Sequence, residues 1–444
     1  MKKYLYPLLV VFFGGMIALI IFKNKEKDEF RVFPLKERSA AVSGSGEWVN
    51  AKAAIEGLLA ALRKNPDDRK AQLQLAEAYI QEARITGDHV YYDEAAMELL
   101  NDLLQKEPDN FEALSCKAAV YLSQHHFTDG KEIAMQALKL NPHNAYIYGL
   151  LVDANVELGD YKEAVKMSDK MVSIRPDLKS YSRISYLREI HGDYKGAIVA
   201  MKMAVASGIP GQEQTEWARI FLGHLYENTG AIDTAELCYR IALENRAGYA
   251  YAYAGLGRIE KANHNYKDAI KDFEKAEKLT SDYSFGDELT DLYRLDNQPE
   301  KAYKNAQAVI EKLNADSNSD ERNSKTGHYS DRELAYAYLK VYKYDMALKH
   351  ALIEYNRRPD NIDVNETLAW VYYKLGKYID ADKYINVAMK TNSQNPNLLY
   401  RACLIKMKSG FRKDGIALME KALDINPFLS PELKSEGIQF LASK

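Results

Sequence analysis

Nine histidines and three cysteines are the residues of this 444-residue chain best suited to hold a metal or act as nucleophiles, and their spacing argues against both roles. Cys116, Cys238 and Cys403 lie more than a hundred residues apart, which is neither a disulfide framework nor a zinc-ligand spacing. They are expected to be buried thiols serving as small apolar residues. His125 and His126 are adjacent, so on a helix they point about 100° apart and do not converge on one ion. Asp316-Ser317-Asn318-Ser319-Asp320 imitates the start of a calcium loop, yet Glu321 stands where glycine is needed and Gly327 where the closing glutamate belongs. No glycine-rich phosphate loop, HExxH, CxxC or GxSxG is present. A chain with no catalytic constellation, no cofactor and no metal is the expectation.

A net charge of −3 gives no concentrated basic face, so nucleic acid is not an expected partner. Residues 4–22 are uncharged throughout, and 19 helical residues span about 28 Å, close to the hydrocarbon thickness of a bilayer. A cleaved signal would have a shorter apolar region and a small-residue site just after it, whereas Ser39-Ala40-Ala41 comes late. The expectation is a membrane anchor over 1–22. Lys23, Lys25, Lys27 and Arg31 follow the uncharged stretch 4–22 and Lys2 and Lys3 precede it, a count that favours a cytoplasmic body. A three-residue tail is more commonly left inside while the rest is exported. A periplasmic, extracytoplasmic body is therefore adopted, with the cytoplasmic face as the alternative. Residues 23–46, with a Gly/Ser end and no apolar periodicity, read as a flexible polar tether.

The rest of the chain is periodic. Ala54, Ala96, Gly130, Ala164, Ala197, Ala235, Ala269, Ala302, Ala347, Ala381 and Gly415 are equivalent small residues, and seven of their ten spacings are 33 or 34. The longer gaps coincide with loop-like insertions at 84–93, 207–214 and 314–327. Twelve residues after the anchor a proline recurs, as at Pro66, Pro142 and Pro359, and cannot continue a helix. Five before it glycine recurs, as at Gly159, Gly192 and Gly376, suiting the left-handed turn that closes a helix. Each unit thus reads as two amphipathic helices, neither able to bury its apolar face alone.

Gly255-Leu256-Gly257, Tyr266, Ala269, Phe273 and Ala276, with Leu222-Gly223, Tyr226, Gly230 and Ala235, resemble the tetratricopeptide repeat (TPR), a 34-residue helix–turn–helix unit. The resemblance covers about 49–428. Departures are Gly130 and Gly415 in place of alanine, and Pro299 where an aromatic is usual. It implies an all-α fold, a right-handed α-solenoid of about ten units over 47–428, closed by a capping helix over 429–444 that begins at Ser430-Pro431.

The resemblance also implies a concave groove made by the first helix of each unit. Carried onto this register, its lining residues are Tyr146, Tyr186, Trp217, His224, Tyr251, Arg258, Lys261, Arg332, Tyr336, Trp370, Tyr373, Tyr400 and Arg401. Aromatics and arginine bury much area with few rotors and dominate interface hot spots. The asparagines and lysines with which some TPR domains clamp a chaperone's C-terminal carboxylate are missing from consecutive units. The function expected is a membrane-tethered scaffold that binds a protein or peptide partner in the groove. The alternatives are a glycan- or solute-binding surface protein, or an import or assembly receptor with a cytosolic body.

Overall fold

The computed structural model describes residues 33–38, 46–318 and 327–428, with 16, 431, 433 and 434 as isolated positions. The expected anchor over 1–22 (Met16 apart), most of the tether and of the capping segment, and residues 319–326 lie outside the described residues. Among the described residues no helix is long and apolar enough to cross a membrane.

Those residues form 21 helices. A leading helix, α1 (Gly46–Lys64), is followed by ten antiparallel pairs. They are α2 (Arg69–Thr86) with α3 (His89–Lys106), α4 (Phe111–Ser123) with α5 (Phe127–Leu140), α6 (Ala145–Glu157) with α7 (Tyr161–Ile174), and α8 (Leu178–Ile190) with α9 (Tyr194–Ala206). Next come α10 (Glu213–Asn228) with α11 (Ile232–Asn245), α12 (Ala250–Ala262) with α13 (Tyr266–Leu279), and α14 (Tyr283–Leu295) with α15 (Pro299–Asn318). The last are α16 (Asp331–Lys340) with α17 (Tyr344–Arg357), α18 (Ile362–Lys374) with α19 (Tyr378–Ala388), and α20 (Pro396–Lys408) with α21 (Arg412–Ile425). Each helix packs chiefly on its neighbours in sequence, which is the one-dimensional stacking of a solenoid.

Local chemistry sets the boundaries. Asp160, Asp193 and Asn361 each accept a hydrogen bond from a backbone N–H in the first turn of the following helix. Gly159 and Gly192 close α6 and α8 with φ of +84° and +83°. The small anchors Ala164, Ala197, Ala235, Ala269, Ala347 and Ala381 are all fully buried where second helix meets first. Ala54 departs from this and is exposed. Among the described residues no first helix precedes its own helix, α1, and Ile55, Leu59 and Leu62 carry that helix's burial instead.

Two stretches expected as loose chain are ordered. Residues 33–38 lie against α2 and α3: Phe33 is buried, Tyr79 donates its hydroxyl to the Phe33 carbonyl, and Tyr91 donates to the Pro34 carbonyl at 2.6 Å. Arg38 is buried with Glu82, donating from Nε at 2.9 Å and from Nη2 at 2.5 Å. Asp316 and Ser317, read as the start of a loop, belong to the last turn of α15. At the other end Leu433 is buried in the apolar cluster of the final pairs, beside Met419 and Ala422.

The array coils tightly enough that its second turn rests on its first. Thr86 O accepts from Ser281 N at 2.9 Å, Gln124 O from Tyr329 N at 3.1 Å, and Glu227 O from the Asn426 amide at 2.8 Å. Between these, Ile362 N donates to the Tyr161 hydroxyl at 2.8 Å and Arg358 pairs with Glu157. A Cβ built on Gly192 would sit 2.6 Å from Asn392 O. One rule describes all of them: the turn inside a pair docks on the loop that follows the fifth pair after it. At the start Glu47 of α1 meets Arg246 at 2.5 Å in the same way. We refer to this ladder as the seam.

Candidate functional site

The first helices α2, α4, α6, α8 and α10 surround a cavity of about 720 Å³ inside the first superhelical turn. Ile80, Tyr146, Leu150, Tyr186, Trp217 and Phe221 supply much of its apolar wall. Trp217 and Phe221, one helical turn apart on α10, have ring centroids 4.1 Å from each other. Arg84, His89, Asp93, Asp153, Lys179, Arg183 and Glu189 supply the polar groups. A second space of about 200 Å³ shares Tyr186 and Glu189 and is completed by Ile362, Asp363 and Glu366 of α18 and Leu398 of α20. Tyr186 is 38% exposed, and the surface it exposes faces these two interior spaces.

The charges within the coil are largely paired, and the pairs link neighbouring first helices. Arg183 donates from Nε to Asp153 at 2.9 Å, Arg258 to Glu227 at 3.0 Å, and Arg401 to Glu366 at 2.8 Å. Lys340 sits between Asp287 and Asp291 at 2.8 and 2.7 Å, and Lys261 meets Glu288 at 3.3 Å. Burial opposes the charge on Glu288, but Lys261, Lys340 and Arg258 outweigh it and hold its carboxyl down to about 2. Arg84, which lines the cavity, reaches Glu213 on α10 at 3.1 Å.

Two ionisable groups of the cavity are less well served. Burial pushes the Glu189 carboxyl up to about 7, against a hydrogen bond from the Asn228 amide at 3.2 Å. Lys179 lies in the first turn of α8 with its ammonium 5.0 Å from the Tyr146 ring centroid, and no ion pair is formed by it among the described residues. Burial lowers its pKa, and Arg183 and Arg84 lower it further. A cation over an aromatic face at the positive end of a helix is poised to receive an anion.

The residues expected to line a groove divide into four groups. Tyr146, Tyr186 and Trp217 meet at the cavity. Arg258, Lys261 and Arg401 are engaged in the ion-pair ladder, Arg332 lies 3.9 Å from Asp363, and Tyr336 accepts a hydrogen bond from Arg401 at 2.9 Å. Tyr251 donates to Asp282 at 3.2 Å, and His224 packs against Phe221 with centroids 5.2 Å apart. Trp370, Tyr373 and Tyr400 are buried at 7%, 6% and 2% exposure in the core of the last pairs, which removes them as ligand surface. There the Trp370 and Tyr373 rings stack at 4.9 Å, with Arg401 over Trp370.

Lys179, Arg183, Glu189 and Phe221 were not among the expected lining residues. The register holds a signal for Lys179: like Tyr146, Trp217 and Tyr251 it stands eighteen residues before its anchor. His125 and His126 serve the seam. The His125 Nδ1 is 2.9 Å from Tyr329 O, the His126 Nε2 is 2.6 Å from Gly327 O, and the His126 ring stacks on Tyr329 at 3.9 Å. All three cysteines are buried free thiols.

Models of the tetratricopeptide repeat family match residues 145–178 and 222–284, which are the pair α6–α7 and the stretch from α10 into α14. No curated protein matches the chain. Among solved structures the chain is similar to a thermophilic TPR protein of Thermus thermophilus, at 21% identity over 40% of this chain and 91% of that one, with a TM-score of 0.36. It is also similar to the human IFIT1 dimer with PPP-AAAA (13% identity, 85% and 88% covered, TM-score 0.46). A third likeness is to yeast Tom70 (13% identity, 89% and 92% covered, TM-score 0.36).

Proposed function

We propose that this tetratricopeptide-repeat protein is a non-catalytic scaffold that receives an extended segment of a protein or peptide partner in the cavity of its first superhelical turn. The observation carrying this reading is the convergence of Tyr146, Tyr186 and Trp217, from three separate pairs, on one space of about 720 Å³. Large aromatic surfaces with few rotors give a bound segment most of its affinity. Lys179 and Glu189 on α8 add an ammonium and a carboxyl group for a segment to satisfy. The uncharged segment 4–22 supports tethering to a membrane.

A photo-crosslinking residue placed at Tyr186 in the full-length chain tests the reading. Capture of one defined polypeptide, lost on Trp217→Ala and absent from a crosslinker placed at Ile379, is the expected result. Capture from Ile379 alone, or capture from Tyr186 indifferent to Trp217→Ala, overturns it.

The cavity volume favours one further reading, binding of a glycan or other solute. Sites for small molecules commonly span about 300–1,000 Å³ and are lined by aromatics with a few placed polar groups. Calorimetric titration with oligosaccharides separates the two: heat abolished by Trp217→Ala with no crosslinked polypeptide favours the solute.

A further inference from the structure

On the reading that the cavity takes a polypeptide, we infer that the bound segment carries an aspartate or glutamate side chain, received by Lys179 over the Tyr146 ring and flanked by apolar residues. Four basic side chains line the cavity, and three of them already have an acid. Arg84 meets Glu213 at 3.1 Å, Arg183 donates to Asp153 at 2.9 Å, and His89 lies 3.4 Å from Asp93. Lys179 forms no ion pair among the described residues, and its ammonium stands 5.0 Å from the Tyr146 ring centroid. Burial lowers its pKa, and Arg183, Arg84 and Arg175 lower it further. Asp177 acts the other way but is itself engaged, pairing with Arg175 at 3.1 Å and capping α8 through Ser180 N at 3.0 Å.

The acids that line the cavity without an ion pair among the described residues, Glu77 and Glu189, do not make up the shortfall. Burial raises the pKa of both, that of Glu189 to about 7, and so favours their neutral forms. Glu189 also stands ten residues from Lys179, about 15 Å along α8. What the Lys179 end of the cavity lacks is therefore one negative charge. A phosphate would bring about −1.5 to −2 where a single ammonium is free, since the two arginines are already engaged. A carboxylate brings one. The space continues past the far end of α8, where Tyr186 and Glu189 also border the second space with Ile362 and Leu398. A chain laid along α8 thus has room for about four or five extended residues beyond the ammonium. The asparagines and lysines with which some TPR domains clamp a chain end are missing from consecutive units, so the carboxylate assigned to Lys179 is a side chain. Trp217 and Phe221 supply the wall for its apolar neighbours.

Selection from a library of random octapeptides, acetylated and amidated so that every carboxylate is a side chain, tests this on the full-length chain in detergent micelles. The parent is expected to retain peptides with aspartate or glutamate at one position between apolar residues. Changing that acid to its amide in the best binder should weaken binding about tenfold, the scale of a charged hydrogen bond. Lys179→Met should still retain apolar peptides but without preference for an acid, and Lys179→Arg should keep the preference. Circular dichroism establishes that both variants keep their helices. Peptides retained by the parent and lost on Trp217→Ala, yet with no acid preference, overturn this inference and leave the scaffold reading standing. So does an acid preference unchanged in Lys179→Met or lost in Lys179→Arg, or stronger retention of the same library made with free C-termini. A parent that retains no more than Trp217→Ala does removes both.

Discussion

Asn361 donates its side-chain amide to the carbonyl oxygen of Glu157 at 3.0 Å although the two residues are 204 positions apart. Glu157 is the last residue of α6, so the acceptor is one of the carbonyls a helix leaves unpaired at its end. A cap supplied from another superhelical turn makes the pitch of the coil part of each helix's own stability.

Two asparagines in the same register, Asn144 and Asn361, separate the local cap from the seam. Asn144→Ala is expected to destabilise by about 1 kcal/mol, the loss of a helix N-cap. Asn361→Ala loses the same kind of cap, here to Val364 N, and also strands the Glu157 carbonyl. It should cost about 1–3 kcal/mol more. Urea titration of both variants, with hydrogen exchange on α6, checks the difference; equal losses would deny the seam any energetic role.

Glycines in the same turn position should differ just as sharply. Gly159 and Gly376 have φ of +84° and +74°, so alanine at either pays about 1–2 kcal/mol for a left-handed backbone. At Gly159 a Cβ would also fall 2.3 Å from the Asp360 carbonyl oxygen, while at Gly376 it meets nothing. Gly159→Ala is therefore expected to lower the urea midpoint well beyond Gly376→Ala, by about 1–3 kcal/mol in stability.

The strap formed by residues 33–38 should matter through one buried pair. The Arg38 and Glu82 side chains are each only 2% exposed, and removing the guanidinium leaves a buried carboxylate without its partner. Arg38→Ala is expected to cost about 3–5 kcal/mol and to open α2 and α3 to hydrogen exchange. Lys52→Ala, which breaks the exposed pair with Glu37 and a cation contact 6.0 Å from the Trp48 ring centroid, should leave exchange unchanged.

Glu189 predicts a pH dependence of definite sign. Its folded pKa is raised to about 7 from an ordinary value of 4.5, so the folded state holds the proton more tightly than the unfolded chain. The resulting stabilisation is complete below about pH 4.5 and disappears as pH climbs to 7, where the buried carboxylate must ionise. Glu189→Gln removes this loss. Thermal melts of parent and variant should coincide most nearly at the acid end of this window and diverge toward about pH 8, the variant gaining up to ~3 kcal/mol before allowance for the partial exposure of the group.

The helix pairs were legible because their causes are local. Ala269 is small where α13 crosses α12, and the register that predicts its burial also places Ala164 and Ala381 correctly. Ala54 shares the spacing but not the burial, since periodicity records a face without recording whether a partner helix exists to cover it. The cavity was legible in part for the same reason. Tyr146, Tyr186 and Trp217 were found from the register, whereas Trp370, Tyr373 and Tyr400 occupy equivalent faces that the last pairs bury. Lys179 was missed because one lysine on an amphipathic helix is ordinary until Tyr146 is seen beneath it.

By itself the sequence determined the class of fold, the number of helix pairs and the positions of their turns, because these follow from apolar periodicity, small residues at crossings, caps, prolines and glycines within a single repeat. Only the tertiary structure decided that the coil closes on itself, that Gly159 faces a carbonyl while Gly376 faces open space, and which aromatics still face a cavity. The reason is cumulative rotation. Each pair turns slightly on the last, and whether pair three lands against the loop after pair eight depends on the sum of those rotations, a quantity that no single repeat contains.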